Sequence, residues 1–127
     1  MGTYYKGNTP TYREILDNID NIIKDYPLNN CGYFGEKGKA GNCQIRQIYC
    51  NDPIKEAQKF YNIVAFGGIE TNLQNNMGVR TKLKDGTVIT YREITSTKDS
   101  PAVEININKS NNHGNIKPQK IHFERRK

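Results

Sequence analysis

Two short stretches bring together side chains suited to proton transfer and anion binding, SPAVEINI at 100–107 and KIHF at 120–123. Side chains alternate along an extended strand. In the first stretch Val103, Ile105 and Ile107 share a face and leave Glu104 and Asn106, with Asn108 beyond, on the other. In the second, Ile121 and Phe123 point one way while Lys120, His122 and the following Glu124 point the other. TVITYREI, residues 87–94, sets Arg92 with Thr90 and turns Ile89 and Tyr91 away, although Val88 and Ile94 intrude near the ends of the Arg92 face. Three strands can thus offer one polar face carrying Arg92, Glu104, Lys120 and His122. A half-solvated antiparallel sheet gives the same alternation without any function, so the chemistry of the set has to carry the weight.

That chemistry suits RNA cleavage. RNA contains its own nucleophile, the 2′-OH, and cleavage needs a base for that proton, cations for the charged phosphorane and an acid for the leaving 5′-oxygen. His122 is the candidate acid/base, because histidine titrates near neutrality. Arg92 and Lys120 are the candidate phosphate cations, one as a fork and one as a point charge. Thr95, Ser96 and Ser100, in the turn ITSTKDSP, are candidate hydrogen-bond donors to phosphate. Lys37, Lys39, Arg46, Thr90 and Lys117 are further candidate substrate contacts. No metal or cofactor is needed for this chemistry, and there is no acidic cluster of the kind a two-metal nuclease uses. His113, among loop formers in KSNNHGN, reads as an exposed bystander. Two rivals remain on the same residues: a non-catalytic nucleic-acid-binding module that does not use His122, and a DNase.

The charge distribution favours a polyanionic partner. Residues 1–76 balance eight Lys/Arg against eight Asp/Glu, whereas residues 77–127 carry eleven against five, so the whole net charge of +6 lies in the C-terminal half. A basic half-domain attracts nucleic acid, although a lysine-rich surface can also serve solubility alone. No apolar run approaches the roughly 20 residues of a membrane span, and the opening MGTYYKGNTP is polar. Cys31, Cys43 and Cys50 form no CxxC pair and have no recognisable zinc spacing with the two histidines. Cys43 and Cys50 can pair under oxidising conditions, and a reduced structural role is the other reading.

The elements that must hold these groups follow in order. TYREILDNIDNIIKDY, residues 11–26, repeats apolar side chains at helical spacing, with Thr11 and Glu14 as a capping box and Pro27 as a stop. Residues 28–43 form a glycine-rich loop without the P-loop pattern. QIRQIYC, residues 44–50, reads as a strand. Asp52 and Pro53 start a second helix with the stripe Ile54, Ala57, Phe60, Tyr61 and Val64, ended by Gly67-Gly68. A polar loop is expected over 70–77. GVRTKL and TVITYREI flank Lys84-Asp85-Gly86, a hairpin signal. The expected fold is α+β in a single domain of 1–127: a helical part over about 1–66, packed on a twisted four- to five-stranded antiparallel sheet over about 77–125.

GNCQIRQIYCNDPIKEAQKFYNIVAFGGIE, then MGVRTKLKDGTVITYREITSTKDSPAVEINI and the terminal QKIHF, resemble the C-terminal toxin domains of Gram-positive polymorphic and contact-dependent toxins. The resemblance spans roughly residues 38–123. Many such domains are metal-independent RNases of the barnase–EndoU–colicin–RelE type, which bind RNA on the concave face of an antiparallel sheet. The resemblance therefore implies an interbacterial toxin, delivered at the end of a larger secreted or cell-surface protein and acting in the cytoplasm of target bacteria. It also implies a cognate immunity protein in the producer; the basic half suggests an acidic one. The residues matching the family-like string are Arg92, Thr95, Ser96, Ser100, Lys120 and His122. A monomeric endoribonuclease acting on tRNA is the expectation that results.

Overall fold

Asp52 and Pro53 start the helix that organises the core. Asp52 accepts a hydrogen bond from the Lys55 amide at 3.3 Å, and proline occupies the first turn, where its missing N–H costs nothing. The computed structural model describes residues 14–39, 41–74, 77–107 and 115–127. In chain order the elements are α1 (Ile15–Ile22), β1 (Glu36–Lys37), β2 (Ile45–Cys50), α2 (Pro53–Val64), β3 (Ile69–Asn72), β4 (Val79–Lys82), β5 (Val88–Arg92), β6 (Ala102–Asn106) and β7 (Gln119–Arg125). The seven strands form one sheet in the order β1-β2-β7-β6-β5-β4-β3. β2 runs parallel to β7, and every other neighbouring pair is antiparallel.

The α+β class agrees with expectation, but the sheet is wider and mixed. β2 joins the sheet beside β7, so β1 and β2 lie between the two helices in sequence and the helices do not simply precede the strands. β3 forms where a polar loop was expected, because backbone pairing with β4 needs no apolar alternation at a sheet edge. The first helix is shorter than its apolar repeat: Ile23–Asp25 form a turn before Pro27, and Glu14, with Asp17, supplies the capping box. Thr11 and Tyr12 lie outside the described residues, as do Asn108 and His113.

Helix α2 packs across β2, β5, β6 and β7, and α1 packs on α2. Ala57, Phe60, Tyr61 and Val64 are buried as the stripe requires, while Ile54 stays 38% exposed because Pro53 takes the buried place in that turn. Phe60 sits among Tyr26, Phe34 and Phe123, with ring centroids 5.1–5.5 Å away. Buried Asn18 of α1 donates to the Val64 and Phe66 carbonyls at 2.9 and 3.0 Å, satisfying the end of α2. The Lys84-Asp85-Gly86 turn closes the β4–β5 hairpin, with Gly86 at φ 89° where a side chain would be strained. Asp85 is buried there, accepting from the Thr87 amide at 2.8 Å and the Ile15 amide at 3.1 Å. The turn is thereby tied to the start of α1.

Candidate active site

The face away from the helices carries the candidate residues of β5 and β7. Directly opposite residues share a face, and His122 in β7 lies between Gln47 of β2 and Ala102 of β6, with Arg92 of β5 next beyond. One step along, Lys120 lies between Ile45 and Glu104, followed by Thr90 and then Arg80. The other face presents Val103, Ile105, Ile121 and Phe123 to the core. Arg92, Thr90, Lys120 and His122 are thus brought to one surface across three strands, as the alternation predicts.

The β5–β6 connection folds over this surface and supplies the serine. Ser100, only 2% exposed, places its Oγ 3.0 Å from His122 Nδ1. Thr95 Oγ1 donates to the Ser100 carbonyl at 2.7 Å and accepts from the Thr97 amide at 3.2 Å, holding the loop's shape. Asp99, at φ 57°, accepts from Arg125 Nε at 3.1 Å, and Arg125 also donates to the Asn51 carbonyl at 2.7 Å. The Phe123 amide donates to the Pro101 carbonyl at 2.9 Å. Ser96 is exposed on the same loop and is not part of the Ser100–His122 contact. Thr95 thus positions Ser100, and Ser100 holds the histidine.

Burial first, and the Lys120 cation second, push His122 below its ordinary value of 6.5; hydrogen bonding at Ser100 and the Glu124 carboxylate pull the other way. Burial and the lysine thus favour the neutral imidazole. Its share of folding stability is complete above the unfolded value and is lost as the pH falls through the depressed folded one. Among the described residues, Arg92 and Lys120 make no side-chain hydrogen bond or ion pair, so both cations are available to an anion.

A polar network beside His122 was not found from the sequence. Gln47 Nε2 donates to Glu124 Oε2 at 3.0 Å, and the Tyr49 hydroxyl donates to Gln47 Oε1 at 2.9 Å. Alternation in QIRQIYC sets Gln47 and Tyr49 on one face, but only the parallel β2–β7 pairing shows that this face adjoins His122.

Arg46 requires a correction. It lies opposite Ile121 on the core face, is 6% exposed, and donates to the carbonyls of Phe34, Cys43 and Gly35 at 2.9–3.0 Å. Its guanidinium also stacks 4.9 Å from the centre of the Tyr33 ring. All three guanidinium nitrogens are engaged in anchoring the glycine-rich loop, on the face away from His122, so Arg46 is a structural residue rather than a substrate contact. Arg46→Lys, which keeps the charge but loses the fork, is expected to cost on the order of 1–3 kcal/mol in urea unfolding. An unchanged midpoint would mean that these carbonyls are not stabilised by the arginine.

The remaining basic candidates are dispersed. Lys37 pairs with Arg46 and so shares the face opposite His122, and Lys39 is exposed just beyond β1. Lys117 donates to the Cys31 carbonyl at 3.2 Å from an exposed position. The cysteines are free: Cys31 and Cys43 are exposed, and Cys50 is buried with its thiol pushed up, first by burial and then by Glu56. Among the described residues no group of three or more His, Cys, Asp or Glu is arranged to hold a metal ion, and no helix is long and apolar enough to cross a membrane.

Comparison with protein-family models, curated proteins and solved structures found no match to this chain.

Proposed function

We propose that this chain is a metal-independent ribonuclease domain of an interbacterial toxin, cleaving tRNA by attack of the 2′-OH on the adjacent phosphorus. The observation that supports it most is the Ser100–His122 hydrogen bond on a sheet face that also carries the cations Arg92 and Lys120, neither of them paired among the described residues. With Nδ1 protonated and donating to Ser100, Nε2 of the neutral imidazole carries the lone pair that accepts the 2′-OH proton. The 2′-oxygen forms a bond to phosphorus as the bond to the 5′-oxygen breaks, leaving a 2′,3′-cyclic phosphate; the 5′-oxygen takes up a proton as it departs. Arg92 and Lys120 stabilise the charge on the non-bridging oxygens. The resemblance to polymorphic toxin domains supplies the biological setting: delivery within a larger secreted or cell-surface protein, action in the target cytoplasm, and neutralisation in the producer by an acidic immunity protein.

The test is incubation of the purified chain with total bacterial RNA in EDTA. Discrete tRNA fragments ending in cyclic phosphate are the expected result. Salt-sensitive binding without cleavage would replace the enzyme with a nucleic-acid-binding module, and cleavage of DNA alone would replace the substrate.

The electrostatics make a separate prediction. Lys120→Met removes a cation that disfavours the imidazolium, so the His122 pKa should rise toward its ordinary value and the acid limb of the activity profile should move to higher pH. Glu124→Gln should move both in the opposite direction. Titration of the His122 ring protons by NMR reads the shift directly, and an unmoved pKa in both variants would remove these two groups from its control.

A further inference from the structure

Helix α2 packs mainly on β2, β7, β6 and β5, so β3 and β4 form the sheet's edge beyond it, reached from α2 by the Tyr61 hydroxyl at Glu70 and Thr81. Between α2 and this edge is an open cleft of about 490 Å³ on the helix-bearing face, lined in part by Tyr61, Glu70, Met77, Tyr91, Glu93 and Ile94. The Tyr61 hydroxyl donates to Glu70 at 3.0 Å and the Tyr91 hydroxyl to Glu93 at 3.4 Å. Burial first, with the neighbouring glutamates adding, raises both phenols, Tyr91 to about 12, so they remain donors. Neither Glu70 nor Glu93 has an ion-pair partner among the described residues. Two carboxylates thus face an open cleft rimmed by exposed apolar side chains: Met77 is 42% exposed and Ile94 68%.

The same corner ends in an open strand edge. Among the described residues β3 pairs only with β4, and all four of its residues are exposed. Ile69–Asn72 contains no proline or lysine, two residues that commonly block such edges. An inward carboxylate at Glu70 disfavours an apolar incoming strand and favours one that brings a cation.

We propose that this corner receives an extended polypeptide segment of a partner, which adds to the free edge of β3 and sets a lysine or arginine side chain in the cleft. Strands lie about 4.8 Å apart, so a long basic side chain on the added strand reaches across β3, its methylenes against Met77 and Ile94 and its charge between Glu70 and Glu93. Main-chain hydrogen bonds supply affinity in such strand addition, and the pocketed side chain supplies selectivity. The site lies on the face opposite His122 and is independent of the proposed cleavage.

The test uses the full chain, isotope-labelled and titrated by NMR with the blocked pentapeptide Thr-Val-Lys-Val-Thr. Saturable amide shifts at Ile69–Asn72, Val79 and Tyr91 are expected, weakened at least tenfold when norleucine replaces the peptide lysine. The E70Q/E93Q double variant should show the same loss. Glu93→Gln alone, which leaves the Tyr61–Glu70 contact intact, serves if the double variant does not fold, and should weaken binding several-fold. Absence of shifts at millimolar peptide, equal binding of the norleucine peptide, or indifference to the glutamate substitutions would overturn the proposal. So would a concentration-dependent dimer paired through β3, which would assign the edge to a second copy of this chain.

Discussion

His122→Ala should reduce RNA cleavage by about 10²–10⁴-fold, the usual range for losing a positioned acid or base, while the melting temperature barely moves. The side chain is partly buried on the solvent-facing side of β7, and its hydrogen bond to Ser100 is its one side-chain bond among the described residues. Its removal opens no cavity in the helix-packed core. Initial rates on tRNA in EDTA, taken beside a thermal melt of the same preparation, separate the outcomes. A rate loss without a stability loss supports proton transfer by His122. Parallel loss of both would make the histidine a structural bridge to the β5–β6 loop. Undiminished cleavage would move the catalytic assignment elsewhere on the face. Ser100→Ala provides an internal comparison: a serine that only holds the ring should cost less than the ring itself, and should change the pH profile more than it changes binding.

Phe60→Ala should destabilise the fold by about 3–5 kcal/mol in urea or guanidinium unfolding, far more than His122→Ala or Ser100→Ala. The ring is fully buried and meets Tyr26 from the segment after α1, Phe34 from the glycine-rich loop and Phe123 from β7. Three otherwise separate parts of the chain converge on it, so the void cannot be closed by moving one neighbour. A domain of this size has about 5–15 kcal/mol in total, and the variant would lose a large share of that. Activity should fall as well, through the folded fraction and through Phe123, which adjoins His122. A change below about 1 kcal/mol would show that α2 is not seated on the sheet through this ring.

The legible parts of the fold are those written in local chemistry. Asp52-Pro53 announced α2, Asp85-Gly86 announced the β4–β5 hairpin, and strict alternation announced the two faces of β6 and β7. The illegible parts depend on partners distant in sequence. Nothing in IETN marks β3, since all four residues are exposed and the strand is defined by its bonds to β4. The parallel pairing of β2 with β7 joins residues more than 70 positions apart, and Gln47 and Tyr49 enter the site only through it. Arg46 is the instructive case. Alternation groups it with Ile48 and Cys50 rather than with Gln47, a signal that it belonged to the inner face; its charge suggested otherwise. Three backbone carbonyls within reach are what make that burial tolerable.

The place of β7 has a consequence for how the chain acquires this structure. It is the last of the seven strands in sequence, yet it lies between β2 and β6, joining a β1–β2 ribbon to a β3–β6 meander. Until residues 119–125 leave the ribosome, no strand joins the two fragments, which share only the packing of α2, and each presents an unpaired inner edge. Closing the sheet then requires contacts of long sequence separation, which slows folding relative to a meander of the same size. A nascent chain stopped before Gln119 would hold a sheet in two pieces, prone to pairing with other strands, and would have no His122 at all.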